Sequence, residues 1–173
     1  MFEELVEKML AMETTMHDLK IEPLSNHTNS ISIIAKFHFA QWKELTGAST
    51  EKKYAMMLNK FASTESIPTT LVAVRDNELI GSVNLIDCDM EIRSELYPWL
   101  AQLFVVPKER KKGIGSSLVS AVVERCQRLG LKALYLYTSR TLPEFYKGLG
   151  WVEREKVNYK GKERIVMEIQ FPI

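Results

Sequence analysis

The sequence predicts an α+β fold in which helices flank a mixed sheet, and three observations lead to this prediction. Short segments of alternating or β-branched residues predict strands, and longer segments with apolar residues three or four positions apart predict helices. After an N-terminal helix, these segments follow one another in the order β-α-α-β-β-β-α-β-α-β-β. No linker, repeat or low-complexity tract interrupts the 173 residues, so we expect one domain with one substantial core.

The N-terminal segment predicts an amphipathic helix that precedes this domain. Residues 1–17 are assigned to a helical extension and residues 18–173 to the domain itself. The helix can pack on its own domain or on a second copy of the chain, so both a monomer and a homodimer remain open. The apolar residues that share one face of the helix, predicted over residues 2–13, are Phe2, Leu5, Val6, Met9 and Leu10.

The first half of the domain carries the signals of a strand, two helices and a β-hairpin. Thr50 is a helix N-cap residue by type, and the polar turn of residues 75–78 separates two runs of strand-forming residues. A polar and acidic connection follows the hairpin. The predicted elements are a strand near 18–24, helices over 30–45 and 50–61, hairpin strands over 71–74 and 79–86, and the connection over 87–98.

The second half predicts a strand, a long helix, a strand, a short helix and a last pair of strands. Thr141-Leu-Pro-Glu144 reads as a capping box with proline in the first turn, so a short helix is expected to start there. Cys126 lies on the apolar side of the long helix and is predicted to pack in the core. The predicted bounds are 100–106, 113–129 and 132–138 for the first three elements, and the next strand opens at Trp151.

The loop Arg110-Lys-Lys-Gly-Ile-Gly115 lies between a predicted strand and a predicted helix. Glycine lets the backbone approach a ligand closely and adopt conformations closed to other residues. The N–H groups of a helix's first turn lack intrahelical partners and form the positive end of the helix dipole. The segment therefore predicts an anion site, although a basic loop that only caps a helix is the alternative.

The same loop does not match two better-known phosphate motifs. The chain contains no G-x-x-x-x-G-K-[ST] run, and the reading from Gly113, G-I-G-S-S-L, lacks the third glycine of a dinucleotide fingerprint. The loop also lies far along the chain, whereas a Rossmann domain would open with it.

Charge and composition exclude several classes of protein. The net charge is +1, which provides no general attraction to nucleic acid or to an anionic membrane. No apolar run approaches the ~20 residues that span a bilayer, and the glutamates near the N-terminus are untypical of a secretory signal. The two cysteines favour a reducing cytoplasm, and the three histidines show no metal-ligand spacing. We expect a cytoplasmic protein that binds no metal and has neither nucleic acid nor a membrane as a partner.

Two motifs taken together resemble those of the GCN5-related N-acetyltransferase (GNAT) family. The first is the [R/Q]-x-x-G-x-[G/A] pattern of the basic loop, which directly follows a strand. The second is Glu144-Phe-Tyr-Lys-Gly-Leu-Gly-Trp151, which is similar to the family's tyrosine motif. They occur in the family's order, and the resemblance extends over residues 69–169. It implies a mostly antiparallel sheet that splays open beside the fourth strand, and acetyl-CoA as cosubstrate.

The resemblance places the cofactor on the fourth strand and the basic loop. In the family, main-chain groups of that strand bond the pantetheine arm as an added strand would, and the loop holds the pyrophosphate. Arg110 either braces the loop or pairs with phosphate, and Ser139 stands where the family often has an asparagine. The cofactor-binding residues expected on this basis are Leu103, Phe104, Val105, Arg110, Lys111, Lys112, Gly113, Ile114, Gly115, Ser116, Ser139 and Tyr146.

The resemblance to the tyrosine motif makes Tyr146 the expected general acid, since a phenol of pKa ~10 is protonated at neutral pH and can protonate a departing thiolate. The alternative is a tyrosine that closes the core beside Phe145. The general base is sought among the carboxylates before the fourth strand, Asp87, Asp89, Glu91 and Glu95. Glu91 and Glu95 are favoured because Tyr97 and Trp99 lie close to them in sequence. A solvated acidic loop is the alternative for the whole group.

The function implied is an acetyl-CoA-dependent N-acetyltransferase in which a primary amine attacks directly within a ternary complex. A small-molecule amine is favoured over a protein amine as the acceptor. The alternative is a non-catalytic acyl-CoA-binding sensor on the same fold, which would need the loop but not the acid.

Overall fold

The computed structural model describes residues 2–46, 50–62 and 66–172. Its helices are α1 (Phe2–His17), α2 (Ile31–Thr46), α3 (Glu51–Ala62), α4 (Ile114–Arg128) and α5 (Pro143–Lys147). Its strands are β1 (Lys20–Pro23), β2 (Thr69–Arg75), β3 (Glu78–Ile86), β4 (Trp99–Val105), β5 (Ala133–Thr138), β6 (Val152–Tyr159) and β7 (Lys162–Gln170).

The seven strands form one sheet in the order β1-β2-β3-β4-β5-β7-β6. Every neighbouring pair is antiparallel except β4 and β5, which are parallel because α4 connects them. The predicted α+β fold with a mixed, mostly antiparallel sheet is confirmed.

Helices cover both faces of the sheet, and alternation along the strands decides which residues meet them. Leu71 and Ala73 of β2 face the cluster that contains Ile114 and Leu118 of α4. The neighbouring residues of β2, Val72 and Val74, belong to a second cluster with the buried residues of α2 and α3. A third cluster forms around Trp99, Tyr159 and Val166, beside the connection between β3 and β4.

The sheet opens between β4 and β5. Within the described residues these two strands share a single register pair, Trp99 opposite Tyr135, and the N–H of Tyr135 donates to the carbonyl of Pro98 at 3.0 Å. Beyond Trp99 the strands diverge, so the edge of β4 that faces β5 has no strand to pair with. The expected splay beside the fourth strand is confirmed.

A β-bulge in β4 lies at the opening. Ser82 pairs with Phe104 and Asn84 pairs with Ala101, so Gln102 and Leu103 together oppose one residue of β3. Gln102 has a positive φ of 53°, which is a common way to place the extra residue of a bulge. The amide of Asn84 donates to Oε1 of Gln102, and its oxygen accepts a hydrogen bond of 2.7 Å from the hydroxyl of buried Thr70.

Two local predictions have different outcomes. Thr50 caps α3 as expected, since the N–H of Lys53 donates to Oγ1 of Thr50 at 3.2 Å. The capping box at Thr141 is wrong: Leu142 is the N-cap of α5, and no side chain caps that end among the described residues. The hydroxyl of Thr141 instead lies 2.9 Å from Oγ of Ser139, so the segment before α5 turns on itself.

The N-terminal helix is longer than predicted, and three apolar residues on one of its faces are more than half exposed. Leu5, Met9 and Leu10 are 57%, 58% and 56% exposed. In the described part of the chain, packing of these side chains onto the domain is therefore not observed. The described helices include none that combines the length and the hydropathy of a bilayer span.

Candidate active site

Two connected cavities occupy the opening between β4 and β5. The larger one, here called the outer cleft, has a volume of about 540 Å³ and lies between β4, α5 and the N-terminus of α4. The smaller one, here called the inner pocket, has a volume of about 220 Å³ and lies between β4, β5 and the end of α2. Gln41, Leu103, Leu142 and Tyr146 line both cavities, so they mark the junction.

Most residues predicted to bind the cofactor come together around the outer cleft, although they belong to four elements. The strand contributes side chains at its splayed end, and the loop contributes its glycines. The predicted residues that line the outer cleft are Leu103, Phe104, Val105, Arg110, Lys111, Gly113, Gly115, Ser116 and Tyr146.

The loop before α4 has the backbone conformation expected of an anion-binding turn. Lys111 and Gly113 have positive φ values of 61° and 82°. At the N-terminus of α4, the first helical hydrogen bond runs from the N–H of Ser117 to the carbonyl of Gly113, at 3.0 Å. The N–H groups of residues 114–116 precede it, and within the described residues no side chain caps this end. The helix therefore presents uncapped N–H groups beside the cleft.

Arg110 braces the end of β4. Its Nε donates to the carbonyl of Val105 at 2.9 Å, and its guanidinium carbon lies 5.9 Å from the centre of the Phe104 ring. The N–H of Val106 donates to Ile80 of β3 at 2.9 Å. Because peptide groups alternate between the two edges of a strand, those of Leu103 and Val105 face the opening. Of the two roles expected for Arg110, the structure displays the brace.

Three predicted cofactor residues lie elsewhere. Ile114 is 1% exposed and packs in the core under α4. Lys112 is not among the residues that line the outer cleft, and its Nζ lies 3.4 Å from Oε2 of Glu109. Ser139 lines the inner pocket, with Thr138 beside it. Contacts of these three residues with a cofactor stay predictions.

Tyr146 lies at the junction of the two cavities and is 8% exposed. Its ring packs edge-on against Phe145 and Trp151, with centroid distances of 4.9 Å and 6.0 Å. The N–H groups of Leu149 and Trp151 both donate to its carbonyl, which holds the end of α5 in place. Burial raises the pKa of Tyr146 to about 12, so its hydroxyl keeps its proton at neutral pH.

The acidic connection contributes one carboxylate to the cavities, and it is not one of the two favoured from sequence. Glu91 and Glu95 are exposed to solvent, and neither is among the residues that line the two cavities. Asp89 is half-buried and lines the inner pocket. Surrounding protein atoms desolvate its carboxylate and raise its pKa to about 7, against the opposing effect of Lys160. A base role for Glu91 or Glu95 stays a prediction.

Sequence reasoning missed the other residues of the inner pocket. Gln102 is placed there by the bulge, and Arg164 arrives from β7, more than sixty positions along the chain. Gln41 and Trp42 come from the last turns of α2. No local motif marks these side chains, because each is an ordinary polar or amphipathic residue in an ordinary helix or strand. Only the arrangement of the strands brings them together.

Comparisons with known proteins agree with this geometry. Residues 34–151 match the model of the acetyltransferase (GNAT) family. An acetyltransferase of the GNAT family from Streptococcus pneumoniae superposes with a TM-score of 0.68 at 19% identity, covering 89% of this chain and 99% of that chain. An aminoglycoside 6′-N-acetyltransferase complexed with coenzyme A gives 0.67 at 21%, covering 89% and 98%.

A third structural neighbour is the spermidine/spermine N-acetyltransferase from Vibrio cholerae, in mutant forms. It has a TM-score of 0.65 and 19% identity and covers 88% of this chain and 94% of that chain. Among curated proteins, no sequence matches this one. The structural neighbours show a shared fold, and the family model spans more than half of the sequence. With its splayed sheet, its glycine loop and its tyrosine at the cavity junction, the chain belongs to the GNAT family of acetyltransferases.

Proposed function

We propose that the protein is an N-acetyltransferase that transfers the acetyl group of acetyl-CoA directly to a primary amine in a ternary complex. One observation carries the proposal: the uncapped N-terminus of α4 opens onto the gap between β4 and β5. An anionic group can bind the N–H groups of that turn, and an extended arm can bond the free edge of β4.

The outer cleft suits the shape of coenzyme A. Its pyrophosphate would lie over the loop from Arg110 to Ser116, and its pantetheine would run along Leu103 and Val105. The thioester then reaches Tyr146, where the two cavities meet. A neighbour of the same fold was solved in complex with coenzyme A, which supports coenzyme A as the ligand.

The acceptor would enter through the inner pocket and meet the thioester at Tyr146. The neutral amine attacks the carbonyl carbon, and the carbon–sulfur bond breaks. The sulfur takes the proton of the Tyr146 hydroxyl, and the proton that the nitrogen loses as the amide forms restores that hydroxyl. A tyrosine of pKa about 12 can do this because the thiolate forms in the same desolvated cleft, which raises the pKa of its thiol above the usual ~8.5.

A small-molecule acceptor suits a cavity of about 220 Å³. Two structural neighbours are named for aminoglycosides and for spermidine or spermine, both of which are small amines. These names support the class of acceptor and not a particular compound.

The test is a calorimetric titration of the protein with coenzyme A and, in parallel, with pantetheine, which lacks the pyrophosphate and the nucleotide. We expect coenzyme A to bind at least 100-fold more tightly, because the loop contacts depend on the pyrophosphate. Release of free thiol from acetyl-CoA on addition of amines then measures turnover. Equal affinity for the two ligands, or no heat with either, would contradict the proposal.

A further inference from the structure

The inner pocket contains two opposite charges that do not pair with each other. Asp89 projects from the connection between β3 and β4, and Arg164 projects from β7. Within the described residues, neither side chain forms an ion pair or a side-chain hydrogen bond. The Nε of Arg164 is buried and lacks a hydrogen-bond partner in that part of the chain.

Such an arrangement is unfavourable for folding alone. A half-buried charge loses hydration, and a protein normally compensates with a partner of opposite sign. Elsewhere in this molecule the compensation is made: Arg93 pairs with Glu155 at 2.6 Å, and Arg75 pairs with Glu109 at 2.9 Å. In the described part of the chain, Asp89 and Arg164 are in no such ion pair, although both line the same cavity, and Lys160 offsets the desolvation of Asp89 only in part. Ligand groups of opposite sign would supply the missing compensation.

The groups around the pair define its charge. Arg164 lies over the face of Tyr137, with 6.0 Å between its guanidinium carbon and the ring centre. Lys160, in the turn between β6 and β7, is close enough to act on the charge of Asp89. Gln41, Gln102 and Ser139 are uncharged. The carboxylate of Asp89 therefore has two cations near it, Arg164 and Lys160. These two cations would repel a ligand that carries several positive charges.

We propose that the acceptor is a small zwitterion of the amino acid type, whose ammonium group binds Asp89 and whose carboxylate binds Arg164. This inference rests on the proposed function and narrows it to one chemical class. A guanidinium is well suited to bind a carboxylate through two parallel hydrogen bonds. A cavity of about 220 Å³ accommodates such a molecule.

Asp89 would also act as the general base. The ammonium group of the acceptor gives one proton to the Asp89 carboxylate, and the freed amine attacks the thioester. The nitrogen then loses a second proton as the carbon–sulfur bond breaks, and the sulfur receives the Tyr146 proton. Of the two protons leaving nitrogen, one restores Tyr146 and one reaches solvent, so the balance closes with an amide, free coenzyme A and one released proton.

The experiment compares amino acids with their carboxamides as acceptors, by release of free thiol from acetyl-CoA. The panel contains the twenty common amino acids, β-alanine and 4-aminobutyrate, with spermidine as the polycationic comparison. For the preferred acceptor we expect kcat/KM to be about 100-fold higher than for its carboxamide, the typical effect of removing one partner of a desolvated charge pair. The amine of the carboxamide loses its proton more easily, so this preference would oppose intrinsic reactivity.

Variants then assign the preference to its residues. Arg164→Met should lower kcat/KM for the amino acid about 100-fold and change that for the carboxamide less than 3-fold. Arg128→Met, at an exposed position near the end of α4, is the matched control and should change neither. Asp89→Asn should lower kcat for both acceptors and leave the affinity for coenzyme A unchanged.

The outcomes separate the two proposals. If coenzyme A does not bind, the proposed function fails. The other case is that coenzyme A binds while spermidine or the carboxamides are the preferred acceptors, or while no amino acid is acetylated. In that case the zwitterion proposal fails, and the proposed acetyltransferase function stands. If Arg164→Met lowers kcat/KM equally for the amino acid and its carboxamide, Arg164 has only a structural role. That result would also overturn the zwitterion proposal.

Discussion

At the scale of single residues, burial determines the protonation state of three titratable side chains. It raises the pKa of Tyr146 to about 12, so the hydroxyl stays a proton donor, and it raises the pKa of Asp89 to about 7, so the carboxylate accepts a proton near neutrality. Burial lowers the pKa of His38 to about 3. His38 therefore stays neutral, 3.0 Å from the hydroxyl of Ser82, and has a structural role.

Removing the hydroxyl of Tyr146 tests the acid. We expect Tyr146→Phe to lower kcat by about 10²–10⁴-fold while calorimetry finds the affinity for coenzyme A within a factor of three. Tyr135→Phe removes a hydroxyl from a half-buried position on β5 outside both cavities, and it should keep normal turnover. Unchanged turnover in Tyr146→Phe would remove the acid assignment.

The pKa of Asp89 predicts the acid limb of the rate profile. Only the carboxylate accepts a proton, so kcat/KM should fall as the pH drops below about 7, approaching tenfold per unit. Lys160, Tyr137 and Arg164 are the titratable or charged groups around it. Burial raises the pKa of the Tyr137 phenol above its usual value, so that hydroxyl stays protonated from pH 5 to 8. Steady-state rates over that range should show this limb in the wild type and lose it in Asp89→Asn.

At the scale of elements, the connection between β4 and α4 acts as one unit. Pro107 follows the strand, Arg110 ties the loop back to Val105, and Gly113 turns the chain into α4 with φ 82°. The turn directs uncapped N–H groups toward the cleft that β4 borders. Gly113 adopts a left-handed backbone conformation, which costs a non-glycine residue about 1–2 kcal/mol.

Gly113→Ala tests whether this conformation serves binding. We expect the affinity for coenzyme A to fall about 5–30-fold, the equivalent of about 1–2 kcal/mol, because the loop must either bear the strain or shift its N–H groups. Gly130→Ala is the matched control: its φ is also positive, at 69°, and an added Cβ would meet nothing within 4 Å. The control should lose thermal stability to a similar extent and keep its affinity for coenzyme A. If both variants bind coenzyme A normally, the turn is only structural.

At the scale of the whole molecule, the sheet is interrupted at its centre. On one side of the gap β1 to β4 are packed by α2, α3 and α4, and on the other β5 to β7 are joined by long antiparallel pairings. A single register pair, in the described part of the chain, joins the two halves along β4 and β5. A ligand that bonds the free edge of β4 would therefore bridge the halves.

Bound coenzyme A is therefore expected to stabilise the folded protein against unfolding. At 100 times its Kd, the ligand adds about 2.7 kcal/mol to the free energy of unfolding, which for this size is a rise in Tm of roughly 5–10 °C. Hydrogen exchange should slow at residues 103–105 and 113–117 and stay unchanged in β6. Slowing in β6 instead, or no shift in Tm, would place the ligand elsewhere.

Local signals were sufficient for most of the fold. Residues 71–74 and 79–86 pair as the predicted hairpin, and Cys126 on the apolar side of α4 is fully buried as expected. These features depend on periodicity and turn chemistry, which act over a few neighbouring residues. The capping box at Thr141 was wrong because a local hydrogen bond between two hydroxyls replaced it.

The sequence by itself determined the class of sheet, the basic glycine loop before α4 and the tyrosine motif that contains Tyr146, because each depends on residues close together in the chain. Tertiary structure alone decided that Asp89 rather than Glu91 or Glu95 lines the inner pocket, and that Arg164 and Gln102 line it as well. The physical reason is that burial and charge environment depend on contacts between distant segments. The splay of β4 from β5 creates those contacts, and no short pattern of residues records them.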